Sequence, residues 1–387
     1  MKSRKKTLLT VFITFILTLS LVVVSGFIIL SKYNIPFEKL MKVVRIIKTS
    51  YVGEYDMDKC EENAINAVLQ TIDDKYAVYY DEENARKTMQ MIDGYYIGIG
   101  VEIFANTQKG YMEVISAYED SPADRAGVKS GDLIKKIDGR EYTASQMADA
   151  VNYMKGIDVD KALEKSMSIT LLRDKEEIII NLKREKIDMY KVDSRIIDNI
   201  CYIRYSGFTA ASQKAFSDII KSLDSKIQGI VVDVRNNPGG EFTSAIEMCD
   251  LFLDDEMIIY TIDKDGKKTS YIGKKGSSEL PLAVIVISQT ASAAEIFAGS
   301  MQSNKRAVII GEKTYGKGVS QTVQYLNLLD KSEGALKLTT CKNYTPSGRW
   351  INESIIPDIK VKTEGIEENI TYDAAFIAAV NSLKEEK

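Results

Sequence analysis

The chain has 387 residues, with 51 Lys and Arg against 55 Asp and Glu, a formal net charge of −4 and no histidine. The intermixed charges exclude a nucleic-acid face, and the missing histidine removes Ser-His-Asp triads, Cys-His pairs and His-ligated metal sites together. Chemistry must run on other side chains, and no metal or cofactor is expected.

At the N-terminus, "MKSRKK" precedes an uncharged stretch from Thr7 to Leu30, long enough at about 1.5 Å per residue to cross a bilayer of about 30 Å. The basic cluster holds that end inside. No A-x-A-like cleavage site precedes Lys32, so the expectation is an uncleaved single-pass anchor, with a cleaved signal peptide as the competing reading. Everything after Tyr33 is then expected on the extracytoplasmic side of the cell membrane.

From Phe37 to Arg86 the apolar spacing is helical, with Leu40, Val43, Val44 and Ile47 on one face. This arm needs a partner for its apolar face: a second copy, giving a homodimer, or the rest of the chain. From Gly98 to Leu182 short strand-like runs such as "GIGVEIF", "YMEVISA" and "EEIIINLKR" enclose one helix, "TASQMADAVNYMKG". From Asn199 onwards strands and helices alternate, which predicts an open α/β sheet with its site at the carboxyl ends of the strands. The resulting division is 1–33 stub and anchor, 34–93 helical arm, 94–184 β-rich module and 185–387 α/β core with a C-terminal helix. Cys60, Cys201, Cys249 and Cys341 lack CxxC spacing and read as small core residues, with no disulfide assignable.

Four stretches carry potential chemistry. Ser292, after the apolar run "LAVIVIS", reads first as a helix N-cap completed by Glu295, a role compatible with that of a nucleophile placed where free N–H groups favour an oxyanion. In "GEKTYGKGVSQ", Lys317 is the candidate base. A lysine serves only when neutral, so burial must bring its pKa well below about 10.4. Gln321, four positions on, would share its face and hold the amine by a neutral hydrogen bond. Gly311, Gly316 and Lys317 also approximate a phosphate loop, but Gly318 stands where the magnesium-holding hydroxyl belongs, which argues against nucleotide binding. In "VVDVRNNPGGEF", Gly239 and Gly240 let backbone N–H groups approach a ligand, with Asp233 and Arg235 bracing the turn. Finally, Gly98, Ile99, Gly100 and Val101 enter a strand in a form suited to capturing a peptide carboxylate while the strand edge pairs with the incoming chain.

With these residues in place, the chain resembles the carboxyl-terminal processing, or tail-specific, proteases, PDZ-containing serine peptidases of family S41, over about Phe37 to Val361. "SPADRAGVKSGDLIKKIDG" is similar to the PDZ signature; "VVDVRNNPGG", "ASAAEIFAG", "GEKTYGKGVSQ" and "YTPSGRWINESIIPDIKV" are similar to successive core motifs. The resemblance implies a multidomain α/β fold in which an anchor and helical arm precede a PDZ domain and a protease core. It implies Ser292 as nucleophile, Lys317 as general base and Gln321 as the amide orienting it. The oxyanion donors would be the N–H groups of Ala293 and of one glycine of the Gly239 and Gly240 pair. Gly98 to Val101 would form the carboxylate loop of the PDZ domain. The implied substrates are proteins with flexible apolar C-terminal tails, cleaved through an acyl-enzyme. Ala294 stands where many members carry a second serine, "IDDKYAVYY" replaces a stretch that usually contains His-Ser, and "WINESIIPD" departs from the commoner Gly-containing form. The rival reading is a catalytically silent PDZ scaffold or chaperone at the membrane.

Overall fold

The computed structural model describes residues 14–21, 25, 37–155, 163, 165–274, 276–327, 333–363 and 369–385. Among the described residues no helix is long and apolar enough to cross a membrane, and most of Thr7 to Leu30 lies outside them. Contacts divide the chain into Met1–Asn63 and Ala64–Lys387.

The first unit carries helix α1 (Phe37–Ser50), with Glu38 in its first turn and Lys48 in its last, as the helix dipole favours. Leu40, Val43 and Ile46 are exposed. Helix α2 (Met57–Leu69) runs across the division. The helical pattern expected through Arg86 is interrupted in the second unit by strand β1 (Val78–Tyr80), before α3 (Glu82–Ile92) resumes it. Its Val-Tyr-Tyr sequence pairs antiparallel with Ala335–Tyr344, so tertiary pairing of strand-favouring side chains overrides the local helical spacing.

The β-rich module forms as expected. Strand β2 (Tyr95–Gly98) leads into β3 (Val101–Asn106), β4 (Tyr111–Ala117), the short helix α4 (Pro122–Arg125), β5 (Leu133–Ile137), β6 (Arg140–Glu141), α5 (Met147–Met154), β7 (Ser166–Arg173) and β8 (Glu176–Lys183). Strand order is β3-β4-β5-β7-β8, with β6 on β5, over a core that includes Met112, Val114, Ile134, Met167 and Leu171. Strand β9 (Glu185–Asp188) pairs back on β2, clasping both ends of the module.

The core continues through β10 (Val192–Ile197), β11 (Ile200–Tyr205), α6 (Ala210–Ser222), β12 (Gly229–Asp233), α7 (Phe242–Asp250), β13 (Met257–Asp263), β14 (Lys268–Ile272), β15 (Leu282–Val286), α8 (Ala293–Ser303), β16 (Ala307–Gly311), β17 (Val319–Tyr325), β18 (Ala335–Tyr344), β19 (Ile359–Lys360) and α9 (Ala374–Glu385). One sheet runs β10-β11-β12-β15-β16-β19, parallel from β11 onward. Every residue of β12 and β15 is buried, as central parallel strands covered on both faces require. Side chains from α6, α7 and α8 pack in the core on one face; Ala375, Phe376, Ala379 and Leu383 of α9 pack on the other. Cys201 and Cys249 are buried thiols in the first of these cores. A second, antiparallel sheet has the order β1-β18-β13-β14, with β17 on β18. The loops following β12, β15 and β16 emerge side by side from the parallel sheet, and β17 and β18 flank them.

Candidate active site

Ser292 sits between β15 and α8 with φ 57° and ψ −118°, a left-handed conformation that a residue with a Cβ adopts only under strain of about 1–3 kcal/mol. Neighbouring loops impose it. Thr290 receives the N–H of Ile287 on its hydroxyl at 3.0 Å, donates that hydroxyl to the carbonyl of Val234 at 2.9 Å, and accepts the N–H of Tyr315 on its own carbonyl at 3.0 Å. The turn after β15 is thereby fixed to the loops after β12 and β16. The strain places Ser292 at the start of α8 beside the Ala293 N–H, which donates to no acceptor among the described residues.

Glu295 does more than complete the expected capping box. Its Oε2 accepts the Ser292 N–H at 2.9 Å and the Lys317 N–H at 2.8 Å, while its Oε1 accepts the Gly316 N–H at 2.7 Å and the Thr314 hydroxyl at 2.5 Å. The side chain is fully buried, and burial pushes its pKa upward against these hydrogen bonds. Within the Gly311 to Lys317 turn the Gly316 and Lys317 N–H groups are thus occupied by a carboxylate, and those of Glu312, Thr314 and Tyr315 by backbone carbonyls. That accounts for the phosphate-loop spacing without a nucleotide.

Lys317 and Ser292 line the same cavity of about 490 Å³, together with Gly239, Gly240, Ala293 and Gln321. Burial depresses the Lys317 pKa, the ammonium groups of Lys337 and Lys75 depress it further, and Glu295 opposes them. Its Nζ lies 5.0 Å from the centroid of the Tyr76 ring, a contact that favours the ammonium form. Tyr76 is held in place by Asp74, which accepts the Tyr76 N–H at 3.0 Å and both the N–H and hydroxyl of Thr339 on β18 at 2.9 and 3.0 Å.

Gly239 has φ +99°, and a Cβ there would stand 2.7 Å from Ser292 Cβ and 2.8 Å from the Ala293 nitrogen. Only glycine brings this turn so close to Ser292. Its own N–H donates to Asn237 Oδ1 at 2.8 Å, whereas the Gly240 N–H donates to no acceptor among the described residues. Of the expected oxyanion donors, Gly240 and Ala293 therefore have open N–H groups. Behind the turn, Arg235 bonds Asp233 through Nε and Nη2 and Asp373 through Nη1, and Tyr202 donates to Asp233 at 2.7 Å. These buried groups are the brace expected of Asp233 and Arg235, with Asp373 and Tyr202 added.

Gln321 departs from expectation. Its amide donates to the Val319 carbonyl at 3.4 Å, not to Lys317. Both side chains line the cavity, as a shared face requires, but among the described residues no hydrogen bond joins them. At the β-rich module, Gly98, Ile99, Gly100 and Val101 line a small pocket with Val151 and Met154 of α5. The Ile99 and Gly100 carbonyls accept the N–H groups of Ala123 and Tyr118 at 3.0 and 2.9 Å, while their own N–H groups donate to nothing among the described residues.

The sequence reading missed Asp74, Tyr76, Asn237 and Lys337, and took Glu295 only as a cap. "IDDKY" held a signal, in that it replaces a resembling stretch, but nothing local tied it to Lys317.

Comparison with known proteins agrees with this architecture. Residues 199–361 match the model of peptidase family S41, residues 113–163 match a PDZ domain, and residues 30–84 match the N-terminal domain of the activating protease CtpB. The carboxy-terminal-processing protease of Bartonella bacilliformis is 34% identical over 93% of this chain and 83% of its own length. The carboxy-terminal processing protease CtpA of Bacillus subtilis is 32% identical over 84% of this chain and 69% of its own length. The photosystem II D1 C-terminal processing protease shares the fold at TM-score 0.50, with 24% identity, covering 86% of this chain and 89% of that one. The chain belongs to the carboxy-terminal-processing proteases, serine-type peptidases of family S41 that carry a PDZ domain.

Proposed function

We propose that this protein is a membrane-anchored endopeptidase that grips protein C-terminal tails in its PDZ groove and cleaves them with a Ser292–Lys317 dyad. The observation that carries the reading is the shared carboxylate: Glu295 binds the backbone of Ser292 and of Lys317, and both residues line one cavity. Neutral Lys317 takes the Ser292 proton as Oγ attacks the scissile carbonyl, forming the Oγ–C bond. The oxyanion meets the N–H groups of Gly240 and Ala293. Lysine then returns the proton to the departing amine, and water, deprotonated by the same lysine, releases the acyl group. Gln321 enters as the amide that orients Lys317 once its bond to Val319 is exchanged.

The anchor rests on the uncharged stretch Thr7 to Leu30 behind a basic N-terminus, and it puts the PDZ and protease parts on the extracytoplasmic side. Pairing of two copies through the helical arm is supported by the exposed Leu40, Val43 and Ile46. Labelling with a serine-directed fluorophosphonate tests the dyad: wild type should react and Ser292→Ala should not. The second reading, a silent PDZ scaffold, draws on the Lys317 ammonium lying over Tyr76 while Gln321 bonds Val319. It predicts no labelling of either protein with tail binding intact.

A further inference from the structure

We propose that Lys337 is a specificity-determining residue whose ammonium binds a carboxylate of the substrate inside the cleavage cavity. The inference rests on the cavity being the cleavage site. Lys337 lies on β18, paired with Val323 of β17 on one side and Val78 of β1 on the other, and its side chain lines the cavity that holds Ser292 and Lys317. The Nζ lies 5.5 Å from the Tyr80 ring centroid, and among the described residues it forms no ion pair.

Among the described residues no acid of the surrounding wall reaches Lys337 at ion-pair distance, and those nearby accept neutral donors. Asp74, whose charge Lys337 does stabilise, already receives the Tyr76 N–H and both donors of Thr339. Glu241 accepts the Ser244 hydroxyl at 2.6 Å. The cavity therefore presents an ammonium with no carboxylate at ion-pair distance among the described residues, beside Lys317 and among apolar side chains such as Met91, Ile92 and Val323. A cation in that setting gains most from an anionic partner brought by the ligand. The shared chemistry is a carboxylate, supplied either by an Asp or Glu side chain near the scissile bond or by the α-carboxylate of a short tail.

The test uses the full-length protein in detergent and a series of fluorogenic peptides. One arm exchanges Glu for Gln at each position flanking the scissile bond, and the other exchanges a free C-terminal carboxylate for an amide. Ratios of kcat/KM between paired peptides are read within each protein, so a general loss of activity in a variant cancels. Wild type should prefer the carboxylate peptide about tenfold in one arm, mainly through KM, as expected for one charge-assisted contact. Lys337→Met should bring that ratio to about one, and Lys337→Glu should favour a Lys-containing peptide at the same position. A wild-type enzyme with no preference in either arm overturns the proposal. So does a preference that survives in Lys337→Met, which places it in the PDZ groove. Failure of wild type to cleave any peptide overturns the cleavage reading itself, a distinct result.

Discussion

Glu295 and Lys317 are joined through the backbone: the Glu295 carboxylate, fully buried, accepts the Lys317 N–H at 2.8 Å and with the same oxygen the Ser292 N–H at 2.9 Å. One side chain thus sets the spacing between the proposed nucleophile and the loop bearing its base. A residue that reads locally as a helix cap is a positioning residue for the site.

Glu295→Gln should separate the two segments. An amide keeps one acceptor oxygen and turns an NH₂ toward N–H donors, leaving buried groups unpaired at a cost of about 1–3 kcal/mol. Thermal denaturation should show that loss. Tail cleavage should fall by about a hundredfold, the effect expected of misplaced reacting groups. Wild-type turnover in a folded Glu295→Gln protein would remove the positioning role.

The backbone strain at Ser292 predicts an asymmetry between two inactive variants. Ser292→Ala retains φ 57° and a Cβ, while Ser292→Gly relieves the strain at the cost of unfolded-state entropy. Ser292→Gly should be the more stable of the two by about 1 kcal/mol in denaturant unfolding. Equal stability would mean that the turn is relaxed.

The acid side of the pH–rate profile should report Lys317. Because only the neutral amine of the proposed base accepts a proton, kcat/KM should rise as pH increases through a pKa held below the ordinary lysine value of 10.5 by burial, Lys337 and Lys75. Lys75→Met removes one cation, so the limb should move to higher pH. Stability follows the same sign. A lysine with a depressed folded-state pKa destabilises the fold while protonated, and the deficit is recovered as pH rises from that pKa toward the unfolded value. Lys317→Met should therefore raise the melting temperature at neutral pH, and more so than at pH 10.

Gly239→Ala should eliminate cleavage, because the added Cβ meets Ser292 Cβ at 2.7 Å in a backbone at φ +99°. Gly100→Ala acts on the other module: its Cβ would stand 2.3 Å from Ser121 Cβ at φ +75°. It should abolish tail-peptide binding by calorimetry while leaving hydrolysis of a small activated ester within about threefold, since such an ester makes no PDZ contact. Loss of both activities together would mean that the Gly98 to Val101 loop and the protease do not act separately.

The parts legible in the sequence were those with a local signature. Alternating strands and helices led to the parallel sheet, Ser292 was visible at a strand-to-helix junction, and Gly239 and Gly240 marked a close approach. Contacts between distant segments were not legible. Asp74 meets Thr339 across 265 residues and Arg235 meets Asp373 across 138, and no periodicity encodes such pairings. Strand β1 was hidden in a helical pattern because its stabilisation comes from β18. Lys317 and Gln321 do line one cavity, but the hydrogen bond expected between them is replaced by one from the Gln321 amide to the Val319 carbonyl, a local competition that spacing does not encode.

Intact-mass spectrometry of a reporter protein with a flexible apolar tail, incubated with wild type, Ser292→Ala and Lys317→Ala, decides whether these two residues form the cleaving pair. Wild type alone should shorten the reporter, and both variants should leave it unchanged while still binding its tail. Shortening by either variant at the wild-type rate would contradict the Ser292–Lys317 assignment.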